Sequence, residues 1–297
     1  MGISVLISVY SGANPAHLRI ALDSIVGQTL LPDEIVLMQD GPLTPEQEEV
    51  VAGYGESPCV VDLSVDEDAA SIASRRDRVL ASGSPVSPQL VIGRFAQNVQ
   101  LGRALAAGVA LCRNPYIARM DADDIAVPDR LAKELAFMEA HPDVSVLGGA
   151  IEEFDGDVTK GTKTIPGGDD LRSYAKFRCP VNHMTVMMRR ADILAAGNYH
   201  HFPGLEDYEL WSRVLAQGFV LDNIPDVLVR ARCDSGFYDR RGGDDYGRRY
   251  LALRRMQREW GLLNPAEYLQ ACAATAAMVY APRSLRKAFY KILRRRG

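Results

Sequence analysis

A chain of 297 residues that is 47% hydrophobic and 24% charged, with 25 Gly and 16 Pro, is long enough to bury a sizeable core, which excludes disorder, collagen and a coiled coil as the overall class. The formal charge of −4 averages two unlike regions, because residues 231–297 carry 15 Lys and Arg against 6 Asp and Glu and leave residues 1–230 strongly acidic. An acidic body repels phosphate backbones, so no nucleic acid partner is expected, while the basic C-terminal region suits something anionic.

Residues 3–9 are a continuous apolar run that stops at Ser11-Gly12, and residues 34–38 are a second that stops at Asp40-Gly41-Pro42. Both suit strands buried on two faces. The N-terminus has neither the basic stretch nor the cleavage site of a signal peptide, so an unexported protein is expected. Between the two runs Asn14 is placed to cap a helix with Pro15 at its first position, and Leu18, Leu22 and Ile25 repeat at helical spacing up to Gly27. Strand, helix and strand in succession make a βαβ unit and hence a parallel sheet.

Thr44 followed by Gln47 predicts a capping box that opens a helix over 44–51. Residues 55–88 mix Gly, Ser, Pro and charge; a short strand at 59–65 and a short helix at 69–80 fit, and the stretch is expected to be an excursion from the core. The strand pattern resumes at 90–92, and 101–111 reads as a helix of small residues. Residues 116–120 are a strand that delivers Asp121-Ala122-Asp123-Asp124 at its carboxyl end. A helix over 128–140 carries Leu131, Leu135 and Met138 on one face, and 144–147 is another strand. Beyond Gly148 the regular alternation stops, which predicts a second half of antiparallel strands and helices.

The five cysteines, Cys59, Cys112, Cys179, Cys233 and Cys272, are scattered, odd in number and free of a C-x-x-C pair. This argues against a disulfide framework and a zinc site and for a reducing compartment. The uncharged stretch 268–282 falls short of the roughly 20 apolar residues of a membrane-spanning helix. Residues 283–296 hold seven basic and no acidic residues, with Leu285, Phe289, Ile292 and Leu293 at helical spacing. Such an amphipathic basic helix either lies on an anionic membrane surface or docks on the acidic body.

Ligands of open parallel sheets bind beyond the carboxyl ends of the strands, so Tyr10, Asp40 and the acidic cluster at 121–124 should share one crevice. Carboxylates that close repel one another unless a cation is bound, and a hard divalent metal is the natural partner; the alternative is an exposed acidic turn before the next helix. An EF-hand fails, because Ala126 stands where the loop needs Gly. Glu206-Asp207 lies in the segment 199–218, which supplies a helix after a loop.

Several separate segments, in this order, resemble a family 2 glycosyltransferase of the GT-A fold. They are Val5-Leu6-Ile7-Ser8-Val9-Tyr10, Ala21-Leu22-Asp23-Ser24-Ile25 with Gln28-Thr29, Asp40-Gly41-Pro42-Leu43-Thr44, and Asn98 with Leu101-Gly102. Further on come Ala118-Arg119-Met120-Asp121-Ala122-Asp123-Asp124-Ile125, Asn182-His183 with Thr185-Val186-Met187, and Glu206-Asp207-Tyr208 with Leu210-Trp211. The run at 40–44 and the later segment 237–243 resemble the branch that builds bacterial capsules and exopolysaccharides of the amylovoran kind. The match runs from about residue 3 to about residue 261, with 55–88 as an insertion and Gln39 standing where many relatives carry a second acid.

The resemblance implies an α/β fold with a Rossmann-like, mostly parallel central sheet flanked by helices and a C-terminal helical appendage. Residues 1–230 would form the catalytic domain, with a nucleotide-sugar half to about 125 and an acceptor half beyond it; 231–297 would be a basic helical region ending in a membrane-surface helix at 283–297. It implies donor contacts from Ser8, Tyr10, Asn98, Gly102, Arg119 and Asp121, with Asp40 accepting from the nucleobase or simply forming a turn before Gly41. Asp121, Asp123 and Asp124 would hold Mn²⁺ or Mg²⁺ on the diphosphate. Asp207, with Glu206 beside it, would be the base that deprotonates the acceptor, giving inversion at the sugar; the plainer alternative is acidity at a helix start. Arg240 and Arg241 would clamp the diphosphate or form a solvated turn. His183 and Trp211 would touch substrate or serve structure, and Met184, Met187 and Met188 read as core strand.

The expected activity is transfer of a sugar from a nucleotide diphosphate sugar, taken as a UDP-sugar, to a lipid-linked or glycan acceptor, by a cytoplasmic protein held on the inner face of the membrane. Two rivals are a sugar nucleotidyltransferase, which would want a Gly-rich loop that Ser11-Gly12-Ala13-Asn14 does not supply, and a degenerate nucleotide-sugar-binding scaffold.

Overall fold

Strands β1 (Ile3–Val9), β2 (Glu34–Gln39), β3 (Cys59–Leu63), β4 (Gln89–Phe95) and β5 (Tyr116–Asp121) lie side by side and parallel in the order β3-β4-β2-β1-β5. The structure is a computed structural model that describes residues 2–55, 58–65, 67–80, 88–233 and 243–280. Continuous apolar runs make these strands because each is covered on both faces. Leu6, Val36 and Ile117 face one core with α4 (Leu101–Leu111) and α8 (Glu206–Ala216), whereas Val5, Ile7 and Leu37 face the other with α1 (Pro15–Val26) and α5 (Arg130–Ala140).

The local signals read from the sequence form as expected. Asn14 Oδ1 accepts from the Ala16 N–H at 2.8 Å at the start of α1. Thr44 and Gln47 close a reciprocal capping box on α2 (Pro45–Ala52). The stretch expected to be an excursion from the core joins it instead: β3 extends the sheet in register with β4, Cys59 opposite Val91, and α3 (Ala69–Leu80) follows. The strand expected at 59–65 and the helix expected at 69–80 both form, and Cys59, Val61 and Leu63 of the strand are buried.

Beyond β5 the sheet becomes mixed, as the sequence predicts. It continues β5-β9-β7-β10-β6, with β6 (Ile125–Ala126), β7 (Val144–Asp155), β9 (Met187–Arg189) and β10 (Val220–Arg232), while β8 (Val158–Lys163) pairs with β7. Strand β9 runs antiparallel to both β5 and β7, and β10 runs parallel to β7. Helices α6 (Asp169–Ala175) and α7 (Arg190–Ala195) complete this half.

The expected boundary at 230 falls inside β10, which continues to Arg232. Helices α9 (Asp244–Glu259) and α10 (Pro265–Tyr280) form the C-terminal appendage, and a cluster of Leu205, Tyr208, Tyr246, Tyr250, Leu253 and Val279 joins them to α8. Buried Arg254 fastens this layer, donating to the carbonyls of Lys176 and Phe177 at 2.9 Å each, to the Tyr208 hydroxyl at 2.9 Å and to Thr275 at 3.2 Å. A buried guanidinium is tolerated here because its donors are met. No helix of the described residues is long and apolar enough to cross a membrane, and the basic segment 283–297 lies outside them.

Candidate active site

Parallel register carries the ends of β1, β2 and β5 to one level. Ser8 lies opposite Asp121 and Val9 opposite Gln39, so Tyr10, Asp40 and the acidic cluster emerge together. Tyr10 is 52% exposed at the rim and Ser8 is half-buried. The loop after β1 is held by the buried Gln47 carboxamide, which donates to the Tyr10 and Ala13 carbonyls at 3.1 and 2.6 Å.

Asp40 is buried rather than open to a ligand. Its Oδ1 accepts from the Val99 N–H at 2.6 Å and its Oδ2 from Asn98 Nδ2 at 3.1 Å. Burial pushes its carboxyl pKa up, against the pull of the Val99 and Gln100 backbone N–H groups. Gly41 follows with φ +88°, and a Cβ there would lie 2.8 Å from the Asn98 backbone nitrogen. Asp40 therefore seals the 40–43 loop against 97–99 and leaves Asn98 exposed on the surface of that wall.

At the end of β5, Arg119 is 2% exposed and its Nη2 lies 2.6 Å from Asp121 Oδ1. Burial works against the Arg119 charge, but the adjacent Asp121 carboxylate outweighs it. Its Nε and Nη1 are buried without a protein acceptor. Asp123 is exposed, and its carboxyl pKa is raised by desolvation and by the Asp121 charge.

Asp124 departs from its expected role as a metal ligand. It is 3% exposed and its Oδ1 accepts from the Arg232 N–H at 2.7 Å, fastening the end of β10. Burial, then Asp121 and Asp123, raise its pKa well above the carboxylate range. Among the described residues no group of three or more His, Cys, Asp and Glu side chains converges as a metal cage. The two remaining carboxylates, Asp121 and Asp123, fit the other mode of binding a hard divalent cation, in which one or two carboxylates share the ion with substrate phosphates.

Glu206-Asp207 opens α8, and the approach to it is a loop tied from inside. Arg213 Nη2 donates to the Asn198 carbonyl at 2.6 Å, Nη1 reaches the Ala196 carbonyl, and the same guanidinium pairs with the fully buried Glu209 at 3.0 Å. Gly102, expected among the donor contacts, serves this approach instead: a Cβ there would fall 2.4 Å from the His200 carbonyl oxygen and 3.3 Å from Glu206 Cβ. Burial, then the charge of Asp207, lift Glu206 to about 7. Asp207 is half-buried; its Oδ1 accepts from the Tyr208 N–H at 2.7 Å and its Oδ2 lies 3.5 Å from Cys179 Sγ.

Trp211 packs fully buried in the core under this region, so it is not a surface for acceptor. His183 Nε2 lies 2.9 Å from the Tyr199 hydroxyl, and the His183, Tyr199 and Trp211 rings meet at centroid distances of 5.7 to 6.3 Å. Burial, then Arg119, hold His183 well below its ordinary pKa, so it is neutral. The expected clamp residues Arg240 and Arg241 lie outside the described residues. Tyr199, Cys179 and Arg232 enter the site without any motif to announce them.

A family profile described as "Glycosyl transferase family 2" matches residues 77–197. The chain is 35% identical over 255 residues to the amylovoran biosynthesis glycosyltransferase of Erwinia amylovora, covering 86% of this chain and 85% of that one. It is 32% identical to the UDP-Gal:alpha-D-GlcNAc-diphosphoundecaprenol beta-1,3-galactosyltransferase of Escherichia coli, over 82% of this chain and 78% of that one. Among solved structures, S. aureus TarS in complex with UDP-GlcNAc superposes with a TM-score of 0.65 at 15% identity, over 96% of this chain and 77% of that one; the likeness is one of fold.

Proposed function

The chain belongs to glycosyl transferase family 2, and we propose that it moves one sugar, with inversion, from a UDP-sugar to a hydroxyl of a lipid-linked or glycan acceptor in surface polysaccharide synthesis. The observation that carries this reading is that two acidic groups from different elements share one buried cation, Arg119. Asp121 and Asp123 come from the end of β5, and Glu206-Asp207 comes from the start of α8, with the buried Arg119 charge felt by Asp121 and Glu206 alike. The UDP donor and the diphospholipid acceptor are supported by the name of the Escherichia coli relative.

Each residue then has a task. Tyr10 and Asn98 stand exposed where the nucleobase would lie, on the wall that Asp40 seals. Ser8 and Asp121 face the ribose and diphosphate. Asp121 and Asp123 would hold Mn²⁺ or Mg²⁺, which when bound supplies electrostatic stabilisation of the charge on the departing diphosphate. Asp207 accepts the proton of the acceptor hydroxyl as that oxygen attacks the anomeric carbon from the face opposite the diphosphate. Glu206, lifted to about 7 by burial and Asp207, is partly protonated at neutral pH and so spares the base a full like charge.

Two further parts of the reading concern residues outside those described. Arg240 and Arg241 bind the diphosphate, and the basic segment 283–297 lies on an anionic membrane surface, where each Lys or Arg contributes on the order of 1 kcal/mol. Asp207→Asn tests the central role. It should lower turnover of a UDP-sugar onto a GlcNAc-diphospholipid by roughly 10²- to 10⁴-fold while leaving UDP binding intact. Wild-type turnover in that variant would contradict the assignment.

A further inference from the structure

We infer that Cys179 is a positioning residue for the base, its thiol hydrogen-bonding Asp207 Oδ2 and holding the carboxylate in the orientation from which it takes the acceptor proton. The inference rests on the reading of Asp207 as that base. Cys179 Sγ lies 3.5 Å from Asp207 Oδ2 and 3.5 Å from the Val181 carbonyl oxygen. A thiol has one proton, so the two acceptors compete for it, and the ionised carboxylate is the stronger. The other carboxylate oxygen is already engaged by the Tyr208 N–H at 2.7 Å. Both oxygens of Asp207 are thus held, one from its own helix and one from across the site.

The thiol itself is fixed by its surroundings. Cys179 packs against both the main core under α4 and α8 and the smaller cluster that joins α8 to α9. Pro180 follows it and restricts its backbone to extended conformations. It takes part in no disulfide. Burial, and then the Asp207 charge, push the thiol pKa well up, so it stays a donor across the neutral range.

The second acceptor gives the thiol somewhere to turn during the reaction. As the acceptor O–H bond breaks, its proton passes to Asp207; the oxygen bonds to the anomeric carbon, and the carbon–diphosphate bond breaks with its electron pair on the diphosphate. Asp207 is then a neutral acid and a weaker acceptor, and the Cys179 proton can swing to the Val181 carbonyl. When Asp207 passes that proton on to solvent water, the thiol turns back and resets the base.

The test uses infrared spectroscopy of the full chain. The difference between wild type and Cys179→Ser isolates the Cys179 S–H stretch, which should lie below that of a free thiol and move up in Asp207→Asn. A band at the free-thiol position, or one that Asp207→Asn leaves unmoved, would overturn the inference. In turnover of a UDP-sugar onto a GlcNAc-diphospholipid, Cys179→Ala should lower kcat about fivefold with donor KM unchanged, and Cys179→Ser should restore most of it. Full kcat in Cys179→Ala beside an inactive Asp207→Asn would sink the role of Cys179 alone; full turnover in Asp207→Asn would sink the base assignment beneath it.

Discussion

The parallel half of the sheet, β1 to β5, and the mixed half beyond it present their acidic residues by different means. In the parallel half, adjacent strands end at the same level and each end delivers its side chain directly, with Ser8 opposite Asp121 in register. In the mixed half, Glu206-Asp207 is delivered by a loop whose shape is set by Arg213, Asn198 and the missing side chain of Gly102. Strand register fixes the first group of residues almost independently of local sequence. The second group depends on a few buried polar contacts, and so it should be the more fragile.

The largest effect expected from that contrast is at Arg213. Arg213→Met leaves Glu209 fully buried without its guanidinium partner and frees the Ala196 and Asn198 carbonyls. Loss of such a pair costs about 3 kcal/mol, to be read by chemical denaturation. A loss of only a few tenths would mean that the approach to α8 does not depend on this tie. Gly102→Ala probes the same approach from the other side. Its Cβ would sit 2.4 Å from the His200 oxygen, so a cost of about 1–3 kcal/mol and reduced turnover are expected from thermal melts and kinetics. Unaltered turnover would separate the loop's position from catalysis.

A smaller effect lies in pH. Glu206 is raised from 4.5 to about 7 by burial and the charge of Asp207, so the folded state holds this proton more tightly than the unfolded chain. Its contribution to stability is fully present below about pH 4.5 and is lost as pH rises through about 7. Stability measured against pH should therefore fall less steeply across that window in Glu206→Gln than in wild type. Parallel curves would show that Glu206 titrates in the fold as it does in the open chain.

Legibility followed the same division. The cap at Asn14, the capping box at Thr44 and Gln47, and the convergence of strand ends were all readable, because each depends on local spacing or on the rule for parallel sheets. Within 55–88 the short strand and the helix are readable as elements, but the place of β3 in the sheet is not, because it comes from pairing with β4 and not from the strand's own pattern. Asp124 looked like its neighbours in sequence, and only the fold turns it inward to the Arg232 N–H. Asp40 likewise reads as a ligand contact until its two partners, Asn98 and Val99, arrive from a distant loop. Cys179 and Tyr199 carry no signal of spacing at all, since their contacts with Asp207 and His183 exist only after the second half has folded.

The most direct test of the account is calorimetric titration of the full chain with UDP, GDP, dTDP and CMP, each with and without Mn²⁺, in wild type, Asp123→Ala and Asp124→Asn. The account predicts metal-dependent binding of UDP in wild type, lost in Asp123→Ala and retained in Asp124→Asn, whose amide oxygen still accepts from Arg232. A folded protein that binds none of the nucleotides, or that binds UDP equally well in Asp123→Ala, would contradict it.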